Sequence, residues 1–307
     1  MGDTTTNAPV RHHYVPQFYL SAWCSPGTKA GEGNRVFVVE NFDGQIKFTR
    51  RPTKATGFQD HLYSLSSDVS TTEPSVLETK FFSKLDDKGK VLVDKLVAGQ
   101  RLEPDERGYW AMFVAAMRAR TPDSIALVKK TGPEHVKLEL GKGQGEYESL
   151  KEAGDPDTFL EWIDSRYPGL VENCSLSSLP RVLSGKIVSK INKMVWHTLD
   201  CQNGVHRLLS SDTPCVFTKG IDDSDCVIAL PLSPRHAFLA FYPGSQAQAA
   251  LTQHGPTRIA AGLNENVVSQ AKSRAYCFSK GDAPENVYRK RLISRPCGQR
   301  SARAATP

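Results

Sequence analysis

Apolar residues change their spacing once along this chain, and that change constrains the fold more than any other feature of the sequence. From about residue 72 to residue 192 the spacing is helical, as where Trp110, Phe113 and Met117 follow a helix start at Pro104. From Met194 onward, short apolar runs are separated by turn residues, a pattern typical of antiparallel strands. These runs occupy residues 194–200, 206–210, 214–218, 226–231 and 236–242. The sequence therefore predicts an α+β fold, in which a helical N-terminal and middle part packs against a mostly antiparallel β-meander in the C-terminal half.

Shorter elements are predicted on either side of the helical region. A short helix starting at Pro16 precedes two strand-like runs, residues 35–39 and 45–49. Asp43-Gly44 lies between these runs and is a strong signal for a hairpin turn. Three further elements are predicted, a strand at 61–65, a helix at 257–273 and a strand at 274–279.

Residues 130–157 are rich in lysine and glycine and interrupt the helical pattern. Their alternating glycines do not form a phosphate-binding loop, because no strand precedes them and no Lys-Ser/Thr pair follows. We expect a loop, an insertion or a hinge there. The chain is then one integrated α+β domain over residues 1–285, with two lobes, 11–129 and 158–280, joined by this Gly/Lys-rich loop.

Composition excludes several classes of protein. The chain has 307 residues, enough to bury a sizeable core, and no run approaches the roughly 18 apolar residues that a membrane span needs. The polar N-terminus lacks the apolar core of a secretion signal. Seven scattered cysteines without a C-x-x-C pair fit neither a structural zinc site nor a disulfide framework. We therefore expect a cytoplasmic protein with reduced thiols and no membrane association.

The positive net charge of +6 is concentrated at the C-terminus. Six basic residues and no acidic residue occur from Asn286 to the end, at Arg289, Lys290, Arg291, Arg295, Arg300 and Arg303. Without them, 33 basic residues balance 33 acidic ones. Residues 286–307 are thus predicted to be a disordered basic tail, which either makes non-specific contact with nucleic-acid phosphates or only keeps the protein in solution.

The opening stretch Arg11-His12-His13-Tyr14-Val15-Pro16-Gln17-Phe18-Tyr19-Leu20 carries the most concentrated chemistry. His12 and His13 precede the N-terminal end of the predicted helix, where unpaired N–H groups favour an anion. In the functional interpretation, His12 or His13 acts with Gln17 on a phosphate, a carboxylate or a metal-bound ligand. In the structural interpretation, one imidazole packs or caps the helix and the other is solvated.

Three charged residues further along the chain are candidates for the same site. Arg118 and Arg120 flank the apolar face of the helix that starts at Pro104, where each either binds an anionic substrate or makes an ordinary salt bridge. Asp212 lies between two predicted strands, in Ser210-Ser211-Asp212-Thr213-Pro214. Its carboxylate either orders the turn or projects into a cleft as a base or a metal ligand.

The opening motif resembles that of an uncharacterised, mostly bacterial family, domain of unknown function 4238. The resemblance extends in order to four weaker motifs, which are Arg118/Arg120-Thr121-Pro122, Ser211-Asp212-Thr213-Pro214, Pro231-Leu232-Ser233-Pro234 and Asn264. It covers about residues 11–280 and implies one integrated domain without an established activity. Where that family tends to carry a second acid in its middle helix, this chain has Asp86, whose side chain is shorter.

Two functions are expected from these residues. The first is a hydrolase, either a nuclease or a phosphodiesterase, acting on a phosphate-containing or nucleic-acid substrate. His12 or His13 would be the base or a metal ligand, Asp212 the orienting carboxylate and Arg120 the charge stabiliser. The second is a non-catalytic module that binds an anion or a nucleotide in bacterial stress or phage defence. A divalent metal stays open as a cofactor, although adjacent histidines usually point apart; serine-hydrolase, dinucleotide-binding and H-E-x-x-H motifs are missing from the sequence.

Overall fold

The computed structural model describes residues 10–27, 33–42, 45–66 and 73–282 of the chain. The strands in these ranges are β1 Arg11–His13, β2 Cys24–Ser25, β3 Arg35–Phe42, β4 Gln45–Arg51, β5 Phe58–Asp60, β6 Val195–Asp200, β7 Ser210–Ser211, β8 Val216–Phe217, β9 Val227–Pro231, β10 His236–Phe241 and β11 Arg274–Cys277. The α-helices are α1 Gln17–Ser21, α2 Ser83–Val97, α3 Pro104–Ala119, α4 Pro122–Gly141, α5 Gln144–Leu150, α6 Phe159–Arg166, α7 Leu170–Ser177, α8 Leu179–Leu183, α9 Lys186–Lys193, α10 Gln246–Gln253 and α11 Pro256–Gln270. A π-helix, Leu77–Phe82, runs directly into α2. With about 50% helix and 18% strand, the fold is α+β.

The chain divides into two compact units, and each contains two separate stretches of sequence. Unit 1 consists of Met1–Pro16 and Gly57–Val195, and unit 2 of Gln17–Thr56 and Trp196–Pro307. An N-terminal segment thus belongs to the same unit as the C-terminal strands. The predicted packing of a helical part on the β-meander, and the predicted lobes at 11–129 and 158–280, stay predictions.

Unit 1 combines the two-stranded antiparallel ribbon β1–β5 with the π-helix and helices α2 to α9. Helix α3 begins where the sequence predicts, because Pro104 occupies its first turn and Glu103 and Glu106 form a reciprocal capping box. Its predicted apolar face is buried. Gly89 of α2 lets the two helices approach closely, since a Cβ atom there would lie 2.6 Å from the Phe113 ring.

Two predictions in unit 1 are wrong. The strand lies at Phe58–Asp60 instead of 61–65, because His61 adopts a left-handed φ of 53° that ends it. The predicted loop at 130–157 is largely helical, since α4 continues to Gly141 and α5 follows. Gly132 allows α4 to approach α7 closely, because a Cβ atom there would lie 2.7 Å from Ser175 Cβ. The glycines therefore serve helix packing as well as turns.

Unit 2 contains two sheets. In one, the strand order is β2-β3-β11-β7, with β4 paired to β3. The predicted hairpin is confirmed by the antiparallel pairing of β3 with β4, although its turn, Asp43-Gly44, lies outside the described residues. In the other sheet, β8, β9 and β10 form the predicted antiparallel meander, and β6 lies beside β10. Helix α11 contributes Ala260, Leu263 and Val267 to the core of this unit.

Six cysteines lie in the described part of the chain, and all six are free thiols. No helix among the described residues is long and apolar enough to cross a membrane. The predicted basic tail, residues 286–307, lies outside the described residues.

Candidate functional site

The histidine pair lies on β1, and the strand sends its two imidazoles to opposite faces of the ribbon. His12 is fully buried, and its ring stacks on Tyr63 with the centroids 5.3 Å apart and the planes at 12°. The Tyr63 N–H donates a hydrogen bond of 3.0 Å to His12 Nδ1, so this nitrogen carries no proton. His12 therefore anchors the turn that follows β5.

His13 faces the other side and is half-buried against Phe58, with the ring centroids 5.6 Å apart. Burial lowers the pKa of His13 to about 4, and the positive charges of Arg11 and Arg120 add to this effect. The imidazole is thus neutral near pH 7. Its Nε2 atom is buried and has no hydrogen-bond partner among the described residues.

Arg11 lies two residues before His13 on β1, so both side chains share one face of the ribbon. Its guanidinium carbon lies 4.8 Å from the centroid of the Phe58 ring. Arg11 is exposed, whereas Arg120 is buried. It therefore offers positive charge to a solute that approaches His13 from solvent.

Glu78 is the residue of this region that sequence reasoning missed. It lies on the π-helix and is half-buried, and burial raises its pKa to about 7 against the opposing effects of Arg120 and of a backbone hydrogen bond from His13. The nearby Asp86 also raises this pKa. Glu78 Oε2 is buried without a hydrogen-bond partner in the described part of the chain. A helical wheel gives the missed signal, because Glu78 falls inside the apolar arc formed by Leu77, Leu85 and Phe82.

Arg120 forms the C-cap of α3 and is completely buried. Its Nη1 donates a 2.8 Å hydrogen bond to Asp86 Oδ1, and the side chain of Asp86 is 21% exposed. The guanidinium lies between the rings of Phe82 and Phe113, with its carbon 5.7 Å from each centroid. The Tyr63 hydroxyl donates a hydrogen bond to the Arg120 carbonyl. The Arg120 side chain is thus completely buried and paired with Asp86, and a substrate-binding role for it stays a prediction.

These four residues, His13, Glu78, Asp86 and Arg120, form what we call the acid–base cluster. Burial also raises the pKa of Asp86, although the Arg120 guanidinium counteracts it. Glu78 Oε2 and His13 Nε2 are both buried without a hydrogen-bond partner among the described residues. The pKa of Glu78 is raised and that of His13 is lowered. Strong perturbation of this kind marks candidate acid–base sites, and π-helical turns often occur at functional sites.

The other predicted site residues lie elsewhere. Arg118 is exposed on α3, and its carbonyl accepts hydrogen bonds from the hydroxyls of Thr121 and Ser124. Gln17 is exposed at the start of α1 in unit 2. A substrate-binding role for either of them stays a prediction.

Asp212 belongs to unit 2, and its carboxylate already accepts four hydrogen bonds. The donors are the backbone N–H groups of Lys272, Ser273 and Arg274 and the Ser273 hydroxyl, at 2.7 to 3.0 Å. Burial raises the pKa of this carboxyl, and these hydrogen bonds oppose the effect. The predicted turn-ordering role thus has a structural counterpart, in which Asp212 holds the segment leading into β11. A catalytic role for Asp212 stays a prediction.

Among the described residues, no group of three or more His, Cys, Asp or Glu side chains is arranged to hold a metal ion. A cavity of about 550 Å³ in unit 1 is lined by Tyr147, Phe159 and Trp162 together with charged side chains at its rim. Its lining includes no residue of the acid–base cluster. The acid–base cluster and this cavity are therefore separate parts of unit 1.

Comparison with known families gave one match. The model of a family described as "Protein of unknown function (DUF4238)" matches residues 11–281. Neither curated proteins nor solved structures gave a significant match. The match confirms the resemblance inferred from the opening motif, and it starts at Arg11, the first residue of β1.

Proposed function

The chain belongs to this family of proteins of unknown function, and from the chemistry of its own residues we propose that it is a hydrolase acting on a phosphate-containing or nucleic-acid substrate. The observation that carries the proposal is the unpaired Oε2 of Glu78, on a carboxyl group whose pKa is about 7, in the region of the unpaired Nε2 of His13. A general base works best when its pKa lies near the working pH. Glu78 meets that condition.

In the proposed reaction, Glu78 accepts a proton from water as the water oxygen attacks phosphorus. The phosphorus–oxygen bond to the leaving group then breaks, and the protonated Glu78 returns the proton to the leaving oxygen. His13 is neutral at this pH and orients the water or a phosphate oxygen through Nε2. Asp86 and Arg120 keep the electrostatic environment that places the pKa of Glu78 near 7.

Support for an anionic substrate comes from the charges around His13. Arg11 and Arg120 both act electrostatically on this imidazole, and Arg11 is exposed on the same face of β1. Arginine binds phosphate oxygens through two parallel hydrogen bonds more readily than lysine does. We assign initial contact with the substrate to Arg11.

The experiment is a pH profile of hydrolysis with bis(p-nitrophenyl) phosphate and a fluorescent oligonucleotide, each with and without Mg²⁺ or Mn²⁺. For the wild-type protein we expect kcat/KM to rise with pH through about 7, as Glu78 loses its proton. Glu78→Gln should lower kcat by about 10²- to 10⁴-fold. Glu134→Gln, at an exposed position on α4, is the matched control and should retain full activity.

A second function is favoured by the exposed positive charge of Arg11, which lies on the same face of β1 as His13. In that case the protein binds an anion or a nucleotide at Arg11 without turnover. Thermal stabilisation by inorganic phosphate or nucleotides, lost in Arg11→Gln and accompanied by no hydrolysis, would establish this alternative. Equal hydrolysis by Glu78→Gln and wild type would refute the proposed role of Glu78.

A further inference from the structure

We infer that the outer faces of α8 and α9 in unit 1 form a binding surface for the phosphate backbone of a single-stranded nucleic acid. The nucleic-acid ligand is chosen on the basis of the proposed function, but the surface is argued from its own charges. We call the side chains of Arg181, Lys186, Lys190 and Lys193 the basic face; Lys190 is half-buried and the other three are exposed.

Sequence and helical geometry place these charges together. No Asp or Glu occurs between Glu172 and Asp200, a stretch that includes α8 and α9. At 100° per residue, Lys186, Lys190 and Lys193 fall within about 60° of one another on α9. They span about 10 Å along its axis, which suits contact with successive phosphates of one strand.

Burial confirms which side of α9 faces outward. Ile191 is completely buried and Val188 is half-buried on the side away from the lysines, and Ile187 is half-buried between the two sides. Lys186, Lys193 and Arg181 are exposed. Within the described ranges, these three exposed cations form no salt bridge with an acidic side chain, so their charge is available to a polyanion.

The neighbouring helix α3 adds few negative charges to this face. Arg107 of α3 donates a hydrogen bond to the Asn192 carbonyl, which brings the first turn of α3 close to the end of α9. Glu106 in that turn is already engaged by Lys95 and by the Glu103 backbone. Asp105 and the N-cap residue Glu103 are exposed there and are the acids that reduce the positive potential.

An anionic membrane is the competing partner, and the packing of α9 disfavours it. A membrane-binding amphipathic helix inserts its apolar face into the lipid, whereas that face of α9 is packed inside unit 1. Val182 on α8 is exposed, but one valine buries too little apolar area to hold a protein on a bilayer. This surface therefore offers a partner positive charge but little apolar area, and a nucleic-acid backbone is bound mainly through positive charge.

The test is fluorescence anisotropy with a labelled 20-nucleotide single-stranded DNA, using the full chain at several salt concentrations. The variant Lys186→Gln/Lys190→Gln/Lys193→Gln keeps good helix formers and removes three charges. We expect about tenfold weaker binding and a reduction of about 2 in the salt dependence, since each lost phosphate contact contributes about 0.7. The control Lys130→Gln/Lys137→Gln/Lys142→Gln removes the same charge from exposed positions of α4 and its C-cap. It should bind like wild type.

Three results would overturn the inference. The first is equal binding of DNA by both triple variants, which is the result expected if the basic tail alone binds DNA. The second is no binding of DNA by the wild-type protein. The third is that the Lys186→Gln/Lys190→Gln/Lys193→Gln variant loses more of its binding to anionic vesicles than of its binding to DNA. Lys186→Gln/Lys193→Gln, at two exposed positions, repeats the test if the triple variant unfolds. Binding measured with Glu78→Gln separates the two proposals, because an intact basic face should bind DNA even when the hydrolase proposal fails.

Discussion

Glu78 and His13 occupy one environment that favours the neutral form of both side chains. Burial raises the pKa of Glu78 to about 7 and lowers that of His13 to about 4. Near pH 7 the site therefore contains a neutral imidazole beside a carboxyl group that is about half protonated. Groups whose pKa values are shifted by a shared environment often divide the acid and base roles of a reaction.

The raised pKa of Glu78 predicts a stability effect at alkaline pH. The folded protein holds this proton more tightly than the unfolded chain, so stability is fully present below about pH 4.5 and is lost as the pH rises through 7. Glu78→Gln removes this loss. At pH 8 the variant should gain on the order of 2 kcal/mol in free energy of unfolding relative to wild type, when each is referenced to pH 4.5.

Urea unfolding followed by circular dichroism at pH 4.5, 6, 7 and 8 measures this difference. Glu134→Gln should leave the pH dependence unchanged, because that carboxylate is exposed. A Glu78→Gln profile parallel to that of wild type would show that the carboxyl group titrates normally.

The lowered pKa of His13 predicts that stability is lost at acid pH, whereas the raised pKa of Glu78 predicts a loss at alkaline pH. The pKa of His13 is lowered from 6.5 to about 4, so the stability associated with the neutral ring is present above pH 6.5 and is lost as the pH falls through 4. His13→Gln should therefore flatten the loss of melting temperature between pH 6.5 and 4. His135→Gln provides a control on the exposed surface of α4. Identical acid profiles for wild type and His13→Gln would contradict this prediction.

The residue types of the site were partly predictable from sequence. The opening motif pointed to His13 and the end of α3 to Arg120, because titratable groups beside strong apolar signals are unusual. The sequence could not show that His12 and His13 lie on a strand, which sends them to opposite faces. Glu78 was missed because a charge on an amphipathic helix usually belongs to its solvent-exposed face.

At the scale of elements, the ion pair of Arg120 with Asp86 links α3 to α2. Removing one partner of a buried pair leaves an uncompensated group, so Arg120→Met should cost about 3 to 5 kcal/mol in free energy of unfolding. The double variant Arg120→Met/Asp86→Leu should recover part of this loss, because no charge is then left without its partner. Urea unfolding of the three proteins at pH 7 measures the effect.

Arg118 supplies the matched control for that experiment. It lies two residues earlier on α3 but is exposed, so Arg118→Gln should change the free energy of unfolding by less than about 0.5 kcal/mol. Equal losses for Arg118→Gln and Arg120→Met would indicate that helix propensity or net charge decides the result, and the ion pair would then have no special role.

The sequence predicts an element well when it contains both a capping signal at the start of the element and a regular spacing of apolar residues along it. Helix α3 is an example. Glu103, Pro104 and Glu106 start it, and the buried face follows the period expected of a helix. Residues 130–157 were predicted wrongly because their glycines resemble loop signals, whereas Gly132 packs closely against Ser175. The π-helix at Leu77–Phe82 has no local sequence signal, since its extra residue depends on what the helix packs against.

At the scale of the whole molecule, each of the two units combines stretches that are separated in the sequence. Residues of unit 2 separate Pro16 from Gly57, both of which belong to unit 1. Hydrophobic periodicity identifies elements but not which distant elements share a core. The pairing of β1 with β5 depends on contacts between residues far apart in the chain, which a single sequence does not reveal.

This arrangement predicts how unit 1 can be isolated. The Val15 N–H donates a 3.1 Å hydrogen bond to the Gly57 carbonyl, so the ends at Pro16 and Gly57 lie close enough for a two-glycine link. A shortened chain that joins Val10–Pro16 to Gly57–Val195 in this way should fold, because β1, His12 and His13 are retained.

The comparison is Gly57–Val195 without the β1 segment, which leaves β5 without its partner strand and removes the stacking of His12 on Tyr63. We expect cooperative thermal unfolding by circular dichroism only for the joined chain, and a non-cooperative transition for the shorter one. Equal cooperativity in both would mean that the opening motif contributes nothing to the stability of unit 1. Because the acid–base cluster includes His13 from this segment, the joined chain should also be the smallest part of the protein in which the pH-dependent stability of Glu78 can be measured.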